Sequence, residues 1–226
     1  PRPDYEKFYA IWNQVGDLRH YALCRTTKEK NIHQTDMQLV DLTTTFINRH
    51  SRNEDILHGV SVDIMPFEGC PENPIARGFQ IYHSILYSIF NVQRLPDHQG
   101  GLLRFATSIV LGAVKSPSLR YKIWSRHEKK MAKYDFDSAK TVKETITSFR
   151  ALFYPHPRAD FETMEVPFED ILVSIPVGYD AYLRRIFGDY MQWPPEEGRV
   201  AKHDVVYANL NEPFEQYKGI HYCVNE

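Results

Sequence analysis

The sequence predicts an α+β protein within the α/β class, with a small mixed sheet that carries a large helical elaboration. Three segments before Met65 are rich in β-formers, and two more short strands are indicated near residues 161–175. Between these regions, apolar side chains recur at helical spacing over residues 75–133. The 226 residues and the hydrophobic fraction of 42% are enough for one core, so a single domain over residues 1–226 is expected.

The composition argues against several classes of protein. The formal net charge of −2 argues against a nucleic-acid partner, which would favour a basic chain. Cys24, Cys70 and Cys223 are widely spaced and include no Cys-x-x-Cys pair, so we expect free thiols rather than a zinc ribbon or a disulfide framework. No apolar run approaches the roughly 18 residues that a membrane-spanning helix needs. A cytoplasmic location is therefore expected.

The N-terminal part is predicted to contain a helix followed by two strands. Asp4 is typical of a helix N-cap, apolar residues follow at helical spacing, and Gly16 ends the helix. Residues 21–25 predict a short strand. The β-branched run over residues 38–48 predicts one continuous strand.

A strand over residues 58–65 carries an acidic side chain between apolar neighbours. Val60, Val62 and Ile64 alternate along this strand, so they share one face and Asp63 lies on the other. A carboxylate in this position is costly to bury unless a cation or several donors meet it. Asp63 therefore either caps a turn or pairs with an arginine, or else it binds a metal ion.

A long helical region begins near Ile75. The pattern is interrupted at residues 96–101 and continues as a helix over residues 102–114, and a third helix starts at Pro117. The apolar spacing of the first helix predicts a buried face. That face consists of Phe79, Tyr82, Ile85, Leu86, Ile89 and Phe90.

The end of the third helix is strongly basic. Because cations are favoured at a helix C-terminus, we interpret this cluster as a solvated helix face. The alternative is contact with an anionic substrate or with a membrane surface. The cluster consists of Lys122, Arg126, His127, Lys129, Lys130 and Lys133.

The C-terminal third is predicted to begin with a helix over residues 141–151. Two strands, over residues 161–168 and 171–175, follow as a hairpin that turns at Glu169-Asp170. A helix over residues 179–187 comes next. The C-terminal residues show no clear periodicity.

A metal site would need a second acidic group beside Asp63. Mg²⁺ sites usually take one or two carboxylates together with water and substrate phosphates. Asp135-Phe136-Asp137 has an Asp-x-Asp pattern, but its polar, loop-like surroundings argue against a strand. The sequence contains no glycine-rich phosphate loop. From the residues alone, the case for an enzyme depends on Asp63 and on the late segment that ends at His203.

Three parts of the chain carry motifs that resemble one known family. Residues 62–69, Val-Asp-Ile-Met-Pro-Phe-Glu-Gly, resemble the IDIFPLDG signature of the LicD family. Residues 1–8 are similar to the family's MPREDYERF segment, and the run over residues 168–203 is similar to its long C-terminal motif. The matches occur in the family's order and cover most of the chain.

The resemblance implies a nucleotidyltransferase-like fold and a phosphotransferase activity. LicD proteins, whose domain is shared by fukutin-related proteins, move phosphocholine or a related polyol phosphate from a cytidine nucleotide (CDP-linked) donor. The acceptor is a surface polysaccharide or lipid-linked glycan, such as lipopolysaccharide, teichoic acid or capsule. Mg²⁺ (or Mn²⁺) is the implied cofactor, and Asp63 matches the third metal-binding carboxylate and catalytic residue. The implied location is cytoplasmic, with peripheral contact to a membrane.

The resemblance also assigns substrate contacts near the C-terminus. Arg199, Lys202 and His203 match the family's closing basic residues; they either contact phosphate or acceptor oxygens or form a basic surface turn. Asp189 is expected to orient that turn. Glu169 is either a hairpin-turn carboxylate or a group that supports the substrate site.

The sequence departs from the family at one place. The family's PWDDDID stretch, which carries its Asp-x-Asp pair, would precede Pro1 and is absent from these residues. We therefore expect an N-terminally incomplete domain that does not turn over substrate. The alternatives are an inactive domain that binds glycan or protein through its aromatic C-terminal half, and a structural remnant without a ligand.

Overall fold

Helices and small antiparallel sheets alternate along the chain in a computed structural model that describes residues 1–95, 101–146, 151–199 and 203–224. The predicted combination of helices and strands is confirmed, but the single mixed sheet is wrong, because the described strands form four small sheets with antiparallel pairs. The α-helices in these ranges are α1 (Arg2–Val15), α2 (Pro74–Val92), α3 (Gly101–Ala113), α4 (Pro117–Met131) and α5 (Tyr179–Phe187). The strands are β1 (Tyr21–Cys24), β2 (Met37–Asp41), β3 (Thr45–Asn48), β4 (Ser61–Ile64), β5 (Phe67–Cys70), β6 (Thr141–Glu144), β7 (His156–Pro157), β8 (Thr163–Phe168), β9 (Ile171–Pro176) and β10 (Val205–Asn209).

The residues group into two compact units. The small unit contains Tyr5–Ile64 and Pro194–Glu226, and the large unit contains Pro1–Asp4 and Met65–Trp193. The single domain expected over residues 1–226 stays a prediction. No helix in the described ranges combines the length and apolar character needed to cross a bilayer.

The first sheet of the small unit has the strand order β1-β2-β4, with every neighbour antiparallel. The single strand predicted over residues 38–48 is wrong, because a turn at residues 42–44 divides it into β2 and β3. Asp41 stabilises this turn by accepting hydrogen bonds from the backbone N–H and the hydroxyl of Thr43, at 2.9 and 2.7 Å. The hydroxyl of Thr44 also donates to the carbonyl of Asp41 at 3.0 Å, and such local side-chain bonds compete with strand extension.

The second ladder of the small unit joins β3 to β10, near the end of the chain. The C-terminal residues lack periodicity, so the sequence gives no signal for β10. Ile47, Phe214 and Tyr222 form the buried core beside this ladder. Thr45 also donates a hydrogen bond of 2.7 Å to the carbonyl of Glu212, which fixes the C-terminal segment in place.

Helices α2 and α4 form the core of the large unit, around buried Tyr87, Phe90 and Trp124. The buried face predicted for α2 is partly wrong: Phe79 and Tyr82 are 60% and 52% exposed. The residues that replace them in the interior are polar. They are Gln80, Ser84 and Asn91.

Gln80 explains why α2 is rotated in this way. Its amide nitrogen donates to the carbonyl of Gly69 at 2.9 Å and to that of Met131 at 3.0 Å, so one side chain joins the strand before α2 to the end of α4. Buried polar groups are tolerated when they are hydrogen-bonded in this way. Apolar periodicity cannot reveal such a contact, because it depends on residues 11 and 51 positions away.

The second sheet, β5-β6-β7, contradicts the helix predicted over residues 141–151. Thr141–Glu144 is a strand that pairs with Phe67–Cys70, and residues 147–150 lie outside the described ranges. The partner strand is far away in sequence, so the pairing leaves no local signal. The interruption predicted at residues 96–101 also lies largely outside the described ranges, apart from Gly101, which begins α3.

The hairpin β8–β9 and helix α5 confirm the predictions for this part of the chain. Val166 pairs with Val173, and the strands turn at Glu169, whose φ of 52° lies in the left-handed region. Helix α5 has the predicted bounds and carries Arg184 and Arg185 in its last turn, where cations are favoured.

Candidate functional site: a carboxyl pair on the first sheet

Asp63 lies on β4, directly opposite Gln38 of β2. The amide nitrogen of Gln38 donates to Oδ1 of Asp63 at 2.9 Å. The carboxyl group is exposed, and no arginine or lysine in the described part of the chain forms an ion pair with it. Of the interpretations open for Asp63, pairing with an arginine therefore has no support in the structure.

The second acid of the site is Asp36, which precedes β2 by one residue. Asp36 and Gln38 are two positions apart and lie on one face of the strand, so both reach Asp63 across the ladder. The Asp36 side chain is 8% exposed. Burial raises its pKa to about 7, and the charge of Asp63 and a hydrogen bond to Asp63 act in the same direction. In the neutral range the Asp36 carboxyl is therefore partly protonated, and it is hydrogen-bonded to Asp63.

Cys24 completes this face of the sheet. It is opposite Gln38 on the other side of β2, so Cys24, Gln38 and Asp63 form one row across three strands. Burial raises the pKa of the Cys24 thiol to about 11, and the neighbouring charge of Asp36 adds to this while Lys30 opposes it. The thiol is therefore protonated at neutral pH and is not a ready metal ligand.

The carboxyl pair is suited to a hard cation. A divalent ion beside Asp36 and Asp63 would replace the proton of Asp36 and remove the repulsion between their charges. Two carboxylates are enough for Mg²⁺ when water and phosphate oxygens complete its shell. Within the described ranges no group of three or more His, Cys, Asp or Glu side chains is arranged to hold a metal. Any cation beside this pair would therefore need further ligands, such as water or phosphate oxygens.

Sequence analysis missed Asp36. The signal available was an acidic residue just before the run over residues 38–48 that predicts a strand. Placing Asp36 beside Asp63 requires the register of β2 on β4, which cannot be predicted from the sequence. The Asp-x-Asp pattern at Asp135-Phe136-Asp137 lies in a turn instead, where Asp135 accepts a hydrogen bond of 2.8 Å from the backbone of Ser138.

Arg199 and His203 lie in the small unit, where each contacts its own surroundings. Arg199 donates from Nε to the carbonyl of Pro194 at 2.8 Å, which closes the turn after the Pro-Pro pair. The ring of His203 packs edge-on against Phe46, with 6.0 Å between centroids. Lys202 lies outside the described residues. No described contact joins Arg199 or His203 to Asp63.

The remaining candidates lie in the large unit. Asp189 is 3.7 Å from a guanidinium nitrogen of Arg184 on α5, and the neighbouring Tyr190 donates to Asp180 at 2.8 Å. Both contacts fix the segment after α5. Glu169 is exposed at the hairpin turn, in a backbone conformation that the turn itself requires. The roles predicted for Asp189 and Glu169 stay predictions, because these contacts involve only their own segments.

Glu68, the acid of the same motif as Asp63, has a different environment. It is 1% exposed, and the guanidinium of Arg2 donates to it at 2.7 Å and to Glu128 at 3.2 Å. Burial by itself would lower the pKa of Arg2, but the charges of Glu68 and Glu128 outweigh burial and raise it. The buried charge of Glu68 is therefore balanced by the guanidinium of Arg2.

Comparison of the chain with family models, with curated proteins and with solved structures gave no significant match.

Proposed function

We propose that the chain is a metal-dependent phosphotransferase domain of the LicD type, with a nucleotidyltransferase-like fold. It would move phosphocholine or a polyol phosphate from a cytidine nucleotide donor to a cell-surface glycan. The single observation that carries this proposal is the Asp36–Asp63 pair, in which one of two adjacent carboxyl groups has a pKa near 7. The motif around Asp63 supports it independently.

In this proposal Asp36 and Asp63 bind the cation, and Gln38 holds the Asp63 carboxylate in position. The cation, Mg²⁺ or Mn²⁺, would offset the charge of the donor's diphosphate. An acceptor hydroxyl oxygen then forms a bond to the transferred phosphorus, the bond from that phosphorus to the cytidine monophosphate leaving group breaks, and the hydroxyl proton is released. Loss of the Asp36 proton precedes cation binding, so binding weakens as the pH falls below neutral.

The test is calorimetric titration of the chain with Mn²⁺ in the presence and absence of cytidine diphosphate. We expect Asp63→Asn and Asp36→Asn each to weaken Mn²⁺ binding about tenfold or more, because each removes a charged ligand. Glu29→Gln is a suitable control, since Glu29 is an exposed acid of the same unit. Equal Mn²⁺ affinity in all four proteins would refute the metal site.

A second candidate function is binding of glycan or protein without catalysis. The observation that favours it is a run of exposed apolar side chains after α5. Phe187, Met191 and Trp193 are 69%, 72% and 84% exposed. Fluorescence of Trp193 that changes on addition of a glycan, in a protein whose thermal stability does not respond to cytidine nucleotide and Mg²⁺, would favour this function over transfer.

A further inference from the structure

The large unit contains a cavity of about 760 Å³ between α2 and the C-terminal end of α4. Clefts of this size hold small ligands. The side chains that give the cavity its chemistry are aromatic or cationic, and no acid contributes to its lining in the described structure. They are Phe79, Tyr82, His83, Lys130, Lys133 and Tyr134.

One wall of the cleft is formed by aromatic rings. Phe79 and Tyr82 lie on the side of α2 that faces away from the core, because Gln80 and Ser84 occupy the interior. The Tyr82 ring is 5.2 Å from that of His83 and 5.8 Å from that of His127. These exposed rings provide flat apolar surfaces. The sequence pattern had predicted that Phe79 and Tyr82 are buried in the core.

The opposite wall has positive charge without compensation from acids. Lys130 and Lys133 are exposed and form no ion pair within the described ranges. Glu128, the acid of the same helix, already accepts a hydrogen bond from Arg2 at 3.2 Å. Burial lowers the pKa of His83, and the charges of Lys130, Lys133 and Arg126 lower it further. The field inside the cleft is therefore positive.

We propose that this cleft binds a phosphate ester whose substituent is a ring. Lys130 and Lys133 contact the phosphate oxygens as point charges, and Phe79 and Tyr82 pack against the ring. The same phosphate chemistry occurs in a free nucleotide or sugar phosphate and in a lipid headgroup. The site lies within the large unit and requires neither a metal ion nor Asp63, so it does not depend on the proposed transferase activity.

The test measures the dissociation constant of cytidine monophosphate by calorimetry in EDTA, with cytidine and inorganic phosphate as partial ligands. The double variant Lys130→Ala/Lys133→Ala should lose on the order of 100-fold affinity, about tenfold for each charge-assisted contact. Phe79→Ala/Tyr82→Ala should lose about tenfold and leave inorganic phosphate binding unchanged. Lys115→Ala/Lys122→Ala is the control, because it removes the same charge from exposed positions outside the cleft.

A parallel measurement uses vesicles of phosphatidylcholine with and without phosphatidylinositol, whose headgroup is a ring carried on a phosphate ester. Vesicle binding that requires phosphatidylinositol and Lys130/Lys133, without binding of cytidine monophosphate, supports the phosphate site and identifies a lipid as its source. Absence of binding to both ligands overturns the proposal. Equal losses in the cleft variant and in the control variant also overturn it, because binding would then follow net charge alone. Melting temperatures of all variants separate loss of binding from loss of fold.

Discussion

Glu68 and Asp63 are five residues apart in one motif, yet the structure gives them opposite environments. In the large unit, Glu68 is fully buried and its charge is matched by Arg2. In the small unit, Asp63 is exposed and interacts with another acid, Asp36. An acid next to a cation is already satisfied, whereas two adjacent acids are satisfied only by a proton or an added cation. This difference separates a structural carboxylate from a candidate ligand.

The largest effect should come from breaking the buried pair. Glu68→Gln leaves the guanidinium of Arg2 buried with less compensating charge, so we expect the free energy of unfolding to fall by about 3–5 kcal/mol. Urea denaturation of the purified chain measures this. The matched control is Glu72→Gln, which breaks an exposed pair with Lys140 at 3.0 Å and should change stability by about 1 kcal/mol or less. Similar losses in both variants would contradict a structural role for Glu68.

The like-charge pair should behave in the opposite way. The folded state raises the pKa of Asp36 from 3.8 to about 7, so Asp36 contributes stability below about pH 4 that is lost as the pH rises through 7. Asp36→Asn keeps the shape, can donate to Asp63 and does not ionise. In EDTA at pH 8 we expect this variant to be more stable than the natural chain, by up to about 4 kcal/mol. Urea unfolding at several pH values measures the difference.

Asp55 provides the control for this pH dependence. Its carboxylate accepts a hydrogen bond of 2.8 Å from Lys218, which lowers the pKa of Asp55. Its contribution is therefore present above the pKa of the unfolded chain and is lost as the pH falls, which is the reverse of Asp36. Asp55→Asn should slightly weaken the fold at pH 8. A loss of stability in Asp36→Asn at that pH would show that the two acids do not repel.

Sequence reasoning succeeded where the determinants are local. The hairpin at Glu169 and helix α5 depend on turn residues and on apolar spacing within one segment, and both have nearly the predicted bounds. Helices α1 and α4 were also found, α1 from its apolar spacing and α4 from the proline at its first turn. The N-cap predicted at Asp4 is wrong, because α1 begins at Arg2 and Asp4 lies in its first turn. The α+β class follows from these elements alone.

The features that failed depend on partners distant in sequence. Strand β6 is formed by pairing with β5, some 70 residues earlier in the chain. The local sequence carries no sign of that partner, so Thr141 and Val142 were assigned to a helix although both are β-branched. The rotation of α2 follows from the bonds of Gln80 to Gly69 and Met131. Asp36 becomes part of the site only through the register of β2 on β4. The motif therefore identified one acid of the candidate site, and the fold supplied the second.

A third acid, Glu144 of the large unit, has an environment intermediate between those of Glu68 and Asp63, because its partner is a neutral hydroxyl group. It is 9% exposed and accepts a hydrogen bond from the hydroxyl of Tyr182. Burial raises the pKa of Tyr182, and the bond to Glu144 adds to this. Tyr182→Phe should lower the free energy of unfolding by about 1.5–3 kcal/mol, as expected for a hydrogen bond to a charged group. Urea unfolding measures this, and Tyr179→Phe, at an exposed position of the same helix, should have little effect.

The smallest effect concerns the contact that orients Asp63. Gln38→Ala removes a partly exposed hydrogen bond of 2.9 Å, so we expect a loss of about 1 kcal/mol or less in the free energy of unfolding. If Gln38 acts on Asp63, its effect should disappear in a chain that already carries Asp63→Ala, and a double-mutant cycle measures this coupling. Additive losses would mean that Gln38 stabilises the sheet without positioning the carboxylate. A carboxylate is preorganised for a cation only when its neighbours hold it in place. If Gln38 does not do so, Asp36 is the only described neighbour that distinguishes the environment of Asp63 from that of Glu68.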